Sequence, residues 1–256
     1  MPRMEAAREL VRRIQTVSSQ EELGLILDDI CKEMGFRYFA LVHHTDLRRA
    51  SPHVIRIENY PRAWAEYFVE NQLFADDPIH RACLVSAAGF SWSEVSTKIS
   101  MTRRQWSILE NAARHGLRNG YTVPINIPGE SSGSCSFGTE GNTELPPDGV
   151  LLAELIGAFA FEAARRLAPV DGIPSLVPSS LSPRQHDCLL LVIRGKTDKE
   201  IGRTLGISEE TVSEYIDLLR RRYKVTKRLT LAIRAIYDGQ ISFIEAFAQE
   251  PPLRGG

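Results

Sequence analysis

The chain has 256 residues, 43% hydrophobic and 25% charged, with a formal net charge of −1, which fits one or two globular domains. No apolar run approaches the ~18 residues of a membrane span, and the charged opening Met1–Ile14 is no secretory signal, so a cytoplasmic protein is expected. Cys31, Cys83, Cys135 and Cys188 are far apart, with no Cys-x-x-Cys and no paired histidine spacing; buried reduced thiols are expected, with neither a disulfide frame nor a bound metal or cofactor.

Taken in chain order, apolar periodicity predicts helices over Met4–Val17 and Ser19–Met34, the second capped by Ser19 and ended by Gly35. Phe36–His44 alternates and reads as a strand, and His53–Ile57 as a second. His43 and His44 are adjacent on the first strand, so they face opposite ways and suit no metal. Helical segments follow at Pro61–Asn71, near Pro78–Leu84 and over Thr102–His115, which Gly116 closes. Strands are predicted at Tyr121–Ile127 and Ser134–Phe137, with a turn at Pro128-Gly129, and a long helix over Val150–Leu167. Helices flanking a meander-like antiparallel sheet make an α-β-α sandwich over residues 1–168. Residues 169–180, with Pro169, Gly172, Pro174 and Pro178, read as a proline-stiffened linker.

Residues 181–243 predict a small all-α domain, so the whole chain is α+β, and 244–256 reads as a tail. Pro183 opens a helix after Ser182, with Leu189, Leu190, Val192 and Ile193 apolar and Gly195 as its stop. Thr197–Leu205 buries Ile201 and Leu205. The tight turn Gly206-Ile207-Ser208 follows, with Ser208 as the N-cap of the next helix and Glu209 and Glu210 at its positive end. That helix carries Val212, Ile216, Leu219 and Tyr223 on one stripe and the polar residues Glu210, Thr211, Ser213, Glu214, Asp217, Arg220 and Arg221 opposite. This is helix-turn-helix patterning, in which the second helix enters the major groove. A fourth helix, Thr230–Asp238, is expected to turn Ala232, Ile233, Ile236 and Tyr237 inward. Charge agrees with DNA contact. Residues 181–243 hold twelve Lys+Arg against eight Asp+Glu, whereas the rest of the chain holds nineteen against twenty-four. The basic residues cluster at Arg220–Arg222, Lys224, Lys227 and Arg228, the footprint of phosphate binding.

A second cluster lies in the first domain. Tyr60-Pro61 leads into a helix with Trp64, Tyr67 and Phe68; Asp77-Pro78 follows, then Trp92 on the loop after Gly89. Each aromatic taken alone is a core residue as readily as a ligand contact, and Asp77 alone could cap the helix at Pro78. Gly129-Glu130-Ser131-Ser132-Gly133 has the G-x-S-x-G spacing of hydrolases, but a strand and not a helix is expected after it, so it is a hairpin turn, not a nucleophile elbow. No enzyme is expected.

Two sets of residues carry a resemblance. Leu181-Ser182-Pro183-Arg184, Gly195-Lys196-Thr197, Glu200-Ile201, Leu205-Gly206-Ile207-Ser208, Thr211-Val212, Arg228, Ala232 and Gly239-Gln240-Ile241 resemble the LuxR-type helix-turn-helix signature, with Gln185 where the family has Glu and Tyr215 where His is common. Tyr60-Pro61-x-x-Trp64, Asp77-Pro78, Trp92 and Gly116-Leu117-x-x-Gly120-x-x-x-Pro124 resemble the autoinducer-binding domain of the same quorum-sensing regulators. The resemblance implies a transcriptional regulator whose effector is an N-acyl-homoserine lactone. Trp64 would donate to the lactone carbonyl, Asp77 accept from the ligand amide, Tyr60 donate to the acyl carbonyl and Ser136 bond that carbonyl or a chain substituent, while Trp92 packs on the lactone ring. Phe68 stands where the family has Tyr, which removes a hydroxyl near the acyl tail. It further implies a homodimer, joined through Val150–Leu167, that sets two DNA-binding units on a pseudo-palindromic promoter through Lys196, Thr197, Glu210, Thr211, Ser213, Glu214, Asp217, Arg220, Arg221, Lys227 and Arg228. RNA polymerase is a further candidate partner, and an effector other than a lactone, or none, is the competing reading.

Overall fold

The computed structural model describes residues 2–46, 54–127, 130–168 and 181–248, in two units, Met1–Asp171 and Gly172–Gly256. The predicted linker, Pro128-Gly129 of the predicted turn, His53 and the tail beyond 248 lie outside the described residues.

The first unit opens with α1 (Pro2–Gln15) and α2 (Gln20–Glu33). The Ser19 hydroxyl accepts the Glu22 N–H at 3.1 Å and starts α2 as expected. Then come β1 (Tyr38–His43), β2 (Arg56–Glu58), α3 (Arg62–Glu70), α4 (Pro78–Cys83), β3 (Phe90–Ser91), α5 (Val95–Lys98), α6 (Arg103–Arg114), β4 (Gly120–Ile125), β5 (Gly133–Gly138) and α7 (Pro147–Leu167). Since β5 starts directly at Gly133, no helix follows Ser131, and the serine-elbow geometry is not formed.

All strand pairs are antiparallel, but the order β2-β1-β5-β4-β3 is no meander. This corrects the expectation. β1 sits between β2 and β5, because its buried residues need neighbours on both edges, and β5 closes against it across the intervening helices. One sheet face packs on α7, where Ala153, Ile156, Ala160, Phe161 and Ala164 meet Leu41, Cys135 and Phe137 in the main core. Gly157 permits the close approach, since a Cβ there would lie 3.0 Å from Val123.

The second unit comprises α8 (Pro183–Ile193), α9 (Asp198–Leu205), α10 (Glu209–Tyr223), α11 (Arg228–Tyr237) and α12 (Phe243–Phe247). Reciprocal side-chain caps start α8 (Ser182 with Gln185) and α9 (Thr197 with Glu200). Val212, Ile216, Leu219 and Tyr223 are all buried against Leu189, Val192 and Ile201, as their spacing predicted. The buried face of α11 differs from the expected Ala232, Ile233, Ile236 and Tyr237. Leu231 and Ala235 point inward, while Ile233 is 60% exposed. The helix begins at Arg228, and its one-turn pair Leu231/Ala235 fits against α8, a choice that tertiary packing makes among several apolar residues. Residues 244–247, expected to open a tail, belong instead to the helix α12. Ser242 caps α12, and Arg194 donates to the Glu245 carbonyl at 2.8 Å.

Candidate functional site

Strand register builds the ligand side. Glu58, Ala40, Ser136 and Thr122 stand opposite one another across β2, β1, β5 and β4, and Arg56, Val42, Ser134 and Pro124 form the next row on the same face. The residues between, including Leu41 and Cys135, face α7, as the two-residue pleat requires. Opposite this face lie Trp64, Ala65 and Phe68 of α3, Ile79 and His80 of α4, Ile108 and Ala112 of α6, and Leu117. Together they enclose a mainly apolar cavity of about 80 Å³. That is far below the ~300 Å³ at the lower end for small-molecule pockets.

Polar groups converge at one end. The Trp92 indole donates to Thr122 Oγ1 at 2.9 Å, and Thr122 Oγ1 lies 2.8 Å from Ser136 Oγ. The Tyr60 phenol interacts with the same Ser136. Burial pushes the Tyr60 phenol well above its usual pKa, so it stays a neutral donor. Trp64 is buried, with its ring 5.7 Å from Phe68. Asp77 is the helix cap that the sequence allowed, and it also faces the cavity. Its Oδ1 accepts the Ile79 N–H at 2.7 Å as the cap of α4, while the side chain lines the cavity with Oδ2 3.7 Å from His80 Nε2. Thus Tyr60, Trp64, Phe68, Asp77, Trp92 and Ser136 are all brought to one cavity.

Several residues in or behind the cavity wall carry no signal in the sequence. Thr122 relays Trp92 to Ser136, and its position opposite Ser136 becomes visible only with the register. His44 stacks on His80 at 3.8 Å and shares a 2.9 Å hydrogen bond with Ser134; burial brings its pKa down to about 2, so it is a neutral support behind these two lining residues. Arg56 and Glu58 sit at the outer strand. Gly120 has a packing role, since a Cβ there would lie 2.5 Å from the Trp92 ring. Gly120→Ala is expected to displace Trp92 from Thr122 and weaken effector binding about tenfold or more, roughly 1.4 kcal/mol. Effector titration followed by tryptophan fluorescence checks this; unchanged affinity would show that Trp92 is dispensable.

On the DNA side, Gly206 ends α9 with φ +67°, and Ser208 accepts the Thr211 N–H at 3.1 Å to start α10. Glu210, Ser213, Glu214, Asp217 and Arg221 are exposed along α10, with Thr211 and Arg220 half-buried beside them. Thr197 and Lys227 are also exposed. Thr197 is engaged in the cap of α9, and Arg220 Nη1 donates to Asp217 at 3.2 Å. Arg228 turns inward, pairing with Asp198 and donating to the Lys196 carbonyl at 2.5 Å, so it ties the start of α9 to the start of α11.

Residues 19–167 match the autoinducer binding domain family, and residues 179–235 match the luxR family of bacterial regulatory proteins. The chain belongs to the LuxR family of transcriptional regulators. This is a family of DNA-binding regulators, not enzymes, and the helix-turn-helix is its DNA-binding element. The LuxR-family activator AhyR of Aeromonas hydrophila is 24% identical over 236 residues, 90% of each chain, and the regulatory protein SdiA of Escherichia coli is 26% identical over 237 residues, 91% of this chain and 96% of SdiA. A putative regulator of Sinorhizobium fredii, y4qH, is 29% identical over 198 residues, which span 77% of this chain and 60% of that protein. A crystal structure of E. coli SdiA superposes with a TM-score of 0.57 at 25% identity, covering 93% of this chain and 99% of SdiA. Among the described residues no helix is long and apolar enough to cross a membrane.

Proposed function

We propose that residues 1–168 sense an N-acyl-homoserine lactone and that residues 181–243 bind promoter DNA in response, in the cytoplasm. One observation carries the reading: Tyr60, Trp64, Asp77, Trp92 and Ser136 line one cavity together with the apolar side chains of Ala40, Val42, Ala65, Phe68, Ile108 and Leu117. A small set of fixed polar groups in an apolar pocket suits an amphiphile with a compact polar head. Asp77 Oδ2 would accept the amide N–H, Trp64 donate to the lactone carbonyl, and the Tyr60–Ser136 pair serve the acyl carbonyl, with Trp92 against the ring.

Effector binding would stabilise the first unit by mass action and favour a homodimer through α7. Along that helix Leu151 is 75% and Leu155 38% exposed, one turn apart, with exposed Ala158 next on the same face. Two helix-turn-helix units would then meet two half-sites about one helical turn, or a multiple, apart. Lys196, Thr197, Lys227 and the outer face of α10 would make the contacts; Arg228 would act by holding α9 in place.

The test is titration of the purified protein with N-octanoyl-homoserine lactone, read by melting temperature and promoter binding. Saturable stabilisation, stoichiometric retention and enhanced promoter binding are expected. A lactone that neither raises the melting temperature nor enhances promoter binding would defeat the reading, and turnover would mark an enzyme instead. Promoter affinity should also fall by a factor on the order of 10³ between about 50 and 200 mM salt if six or more phosphates are contacted; a flat salt profile would contradict groove binding. A second reading, a non-lactone acyl effector, is favoured by the SdiA structure solved with octanoyl-rac-glycerol. Octanoylglycerol in the same titration separates the two.

A further inference from the structure

We propose that the effector's acyl chain carries a hydroxyl at its far end, and that Arg56 and Glu58 select for it. The inference rests on the lactone reading and extends it from the head of the ligand to its tail.

The register gives the cavity a direction. Trp92, Thr122 and Ser136 form the polar end over β4 and β5, Tyr60 reaches in from the segment after β2, and the same row continues through Ala40 on β1 to Glu58 on β2. Neighbouring strands lie ~4.8 Å apart, so Glu58 stands roughly 10 Å from Ser136, about the reach of a medium-length acyl chain. The path between is apolar, past Ala40, Val42, Ala65 and Phe68. A purely alkyl ligand calls for an apolar terminus there as well. The cavity instead ends on an ion pair. Arg56 Nε and Nη2 lie 2.8 and 2.7 Å from Glu58 Oε1, and both residues line the cavity.

The pair is only partly solvated, with the Arg56 side chain 35% and Glu58 19% exposed. Both of its bonds go to one carboxylate oxygen, which leaves Oε2 and Nη1 with capacity for another partner. A methyl terminus arriving there would strip water from two charges and return no hydrogen bond. A carboxylate would gain Arg56 but be repelled by Glu58, and an ammonium the reverse. A hydroxyl both donates and accepts, so it can donate to Glu58 Oε2 while accepting from Arg56, and it adds no charge to a balanced pair. The ligand class is therefore an ω-hydroxyacyl-homoserine lactone.

The probes are N-octanoyl- and N-(8-hydroxyoctanoyl)-homoserine lactone, titrated into full-length protein by calorimetry. The wild-type chain is expected to bind the hydroxylated lactone at least tenfold more tightly. The pair variant Arg56→Met/Glu58→Leu is expected to reverse that order, and Glu58→Gln, which keeps the shape, to reduce the preference severalfold while its melting temperature without ligand stays close to that of the wild type. Equal or tighter binding of the octanoyl lactone by the wild type overturns the tail assignment alone. Failure of both lactones to bind overturns the head-group reading and this inference with it.

Discussion

Asp77→Ala should abolish the effector response, and Asp77→Asn should nearly do so while leaving the protein folded. The two variants separate the roles that Asp77 combines. As the cap of α4 its Oδ1 accepts the Ile79 N–H; Ala removes this acceptor at about 1 kcal/mol, whereas Asn caps almost as well. As the ligand acceptor only a carboxylate offers a charge-assisted bond, and losing it costs roughly 1.5–3 kcal/mol, about ten- to 150-fold in affinity. The expected pattern is a small drop in melting temperature for Asp77→Ala, almost none for Asp77→Asn, and a large loss of lactone affinity in both. Basal promoter affinity without effector should match the wild type in each. An Asp77→Asn protein that responds at wild-type lactone concentrations would remove Asp77 from the binding site and leave it a cap.

The second large effect is expected in the other unit. Gly202→Ala should abolish promoter binding and leave effector binding unchanged. A Cβ on Gly202 would lie 2.7 Å from the Ile207 carbonyl and 3.5 Å from the Glu209 N–H, both backbone atoms of the turn into α10. Backbone cannot swing aside as a side chain can, so α9 and the turn must separate. That movement lifts Val212 and Ile216 from the core they share with Ile201. Overpacking of this kind costs about 1–3 kcal/mol, and the altered angle between α9 and α10 removes the groove fit. Gly206→Ala is the control. Its φ of +67° carries about 1–2 kcal/mol of strain for any other residue, yet nothing lies within 4 Å of its Cβ, so it should destabilise without moving α10. Promoter binding by fluorescence anisotropy beside lactone titration checks both. Wild-type promoter affinity in Gly202→Ala would show that the two helices tolerate a wider angle.

These predictions draw on features of different legibility. Ser19, Thr102, Ser182, Thr197 and Ser208 all act as helix caps, and a cap is set by residues within one turn of it, so the helix starts could be read directly. The apolar stripe of α10 was equally plain, because four buried positions at helical spacing leave one face to choose. The apolar residues around α11 are denser. Leu229, Leu231, Ala232, Ile233, Ala235 and Ile236 permit several inward faces, and only the shape of α8 selects Leu231 and Ala235. The two-residue strand β3 is too short to show alternation, and it exists because Phe90 and Ser91 find Thr122 and Tyr121 across the sheet.

The candidate site divides along the same line. Tyr60, Trp64, Asp77 and Trp92 stood out as a spaced motif, and Gly120 belonged to it, though the reason, a Trp92 ring lying on the bare backbone, needs coordinates. Thr122, Ser134, Arg56 and Glu58 carry no motif at all. Strand pairing brings Ser134, Arg56 and Glu58 to the cavity and Thr122 between Trp92 and Ser136, and pairing between strands up to a hundred residues apart leaves no trace in local sequence. Local chemistry along the chain therefore decides where the side-chain-capped helices begin, which stripe of the recognition helix is buried and which residues stand out as the polar candidates. Sheet order, the face that α11 buries and the charged far wall of the cavity come from folding, because each depends on long-range contacts that satisfy backbone and apolar groups jointly.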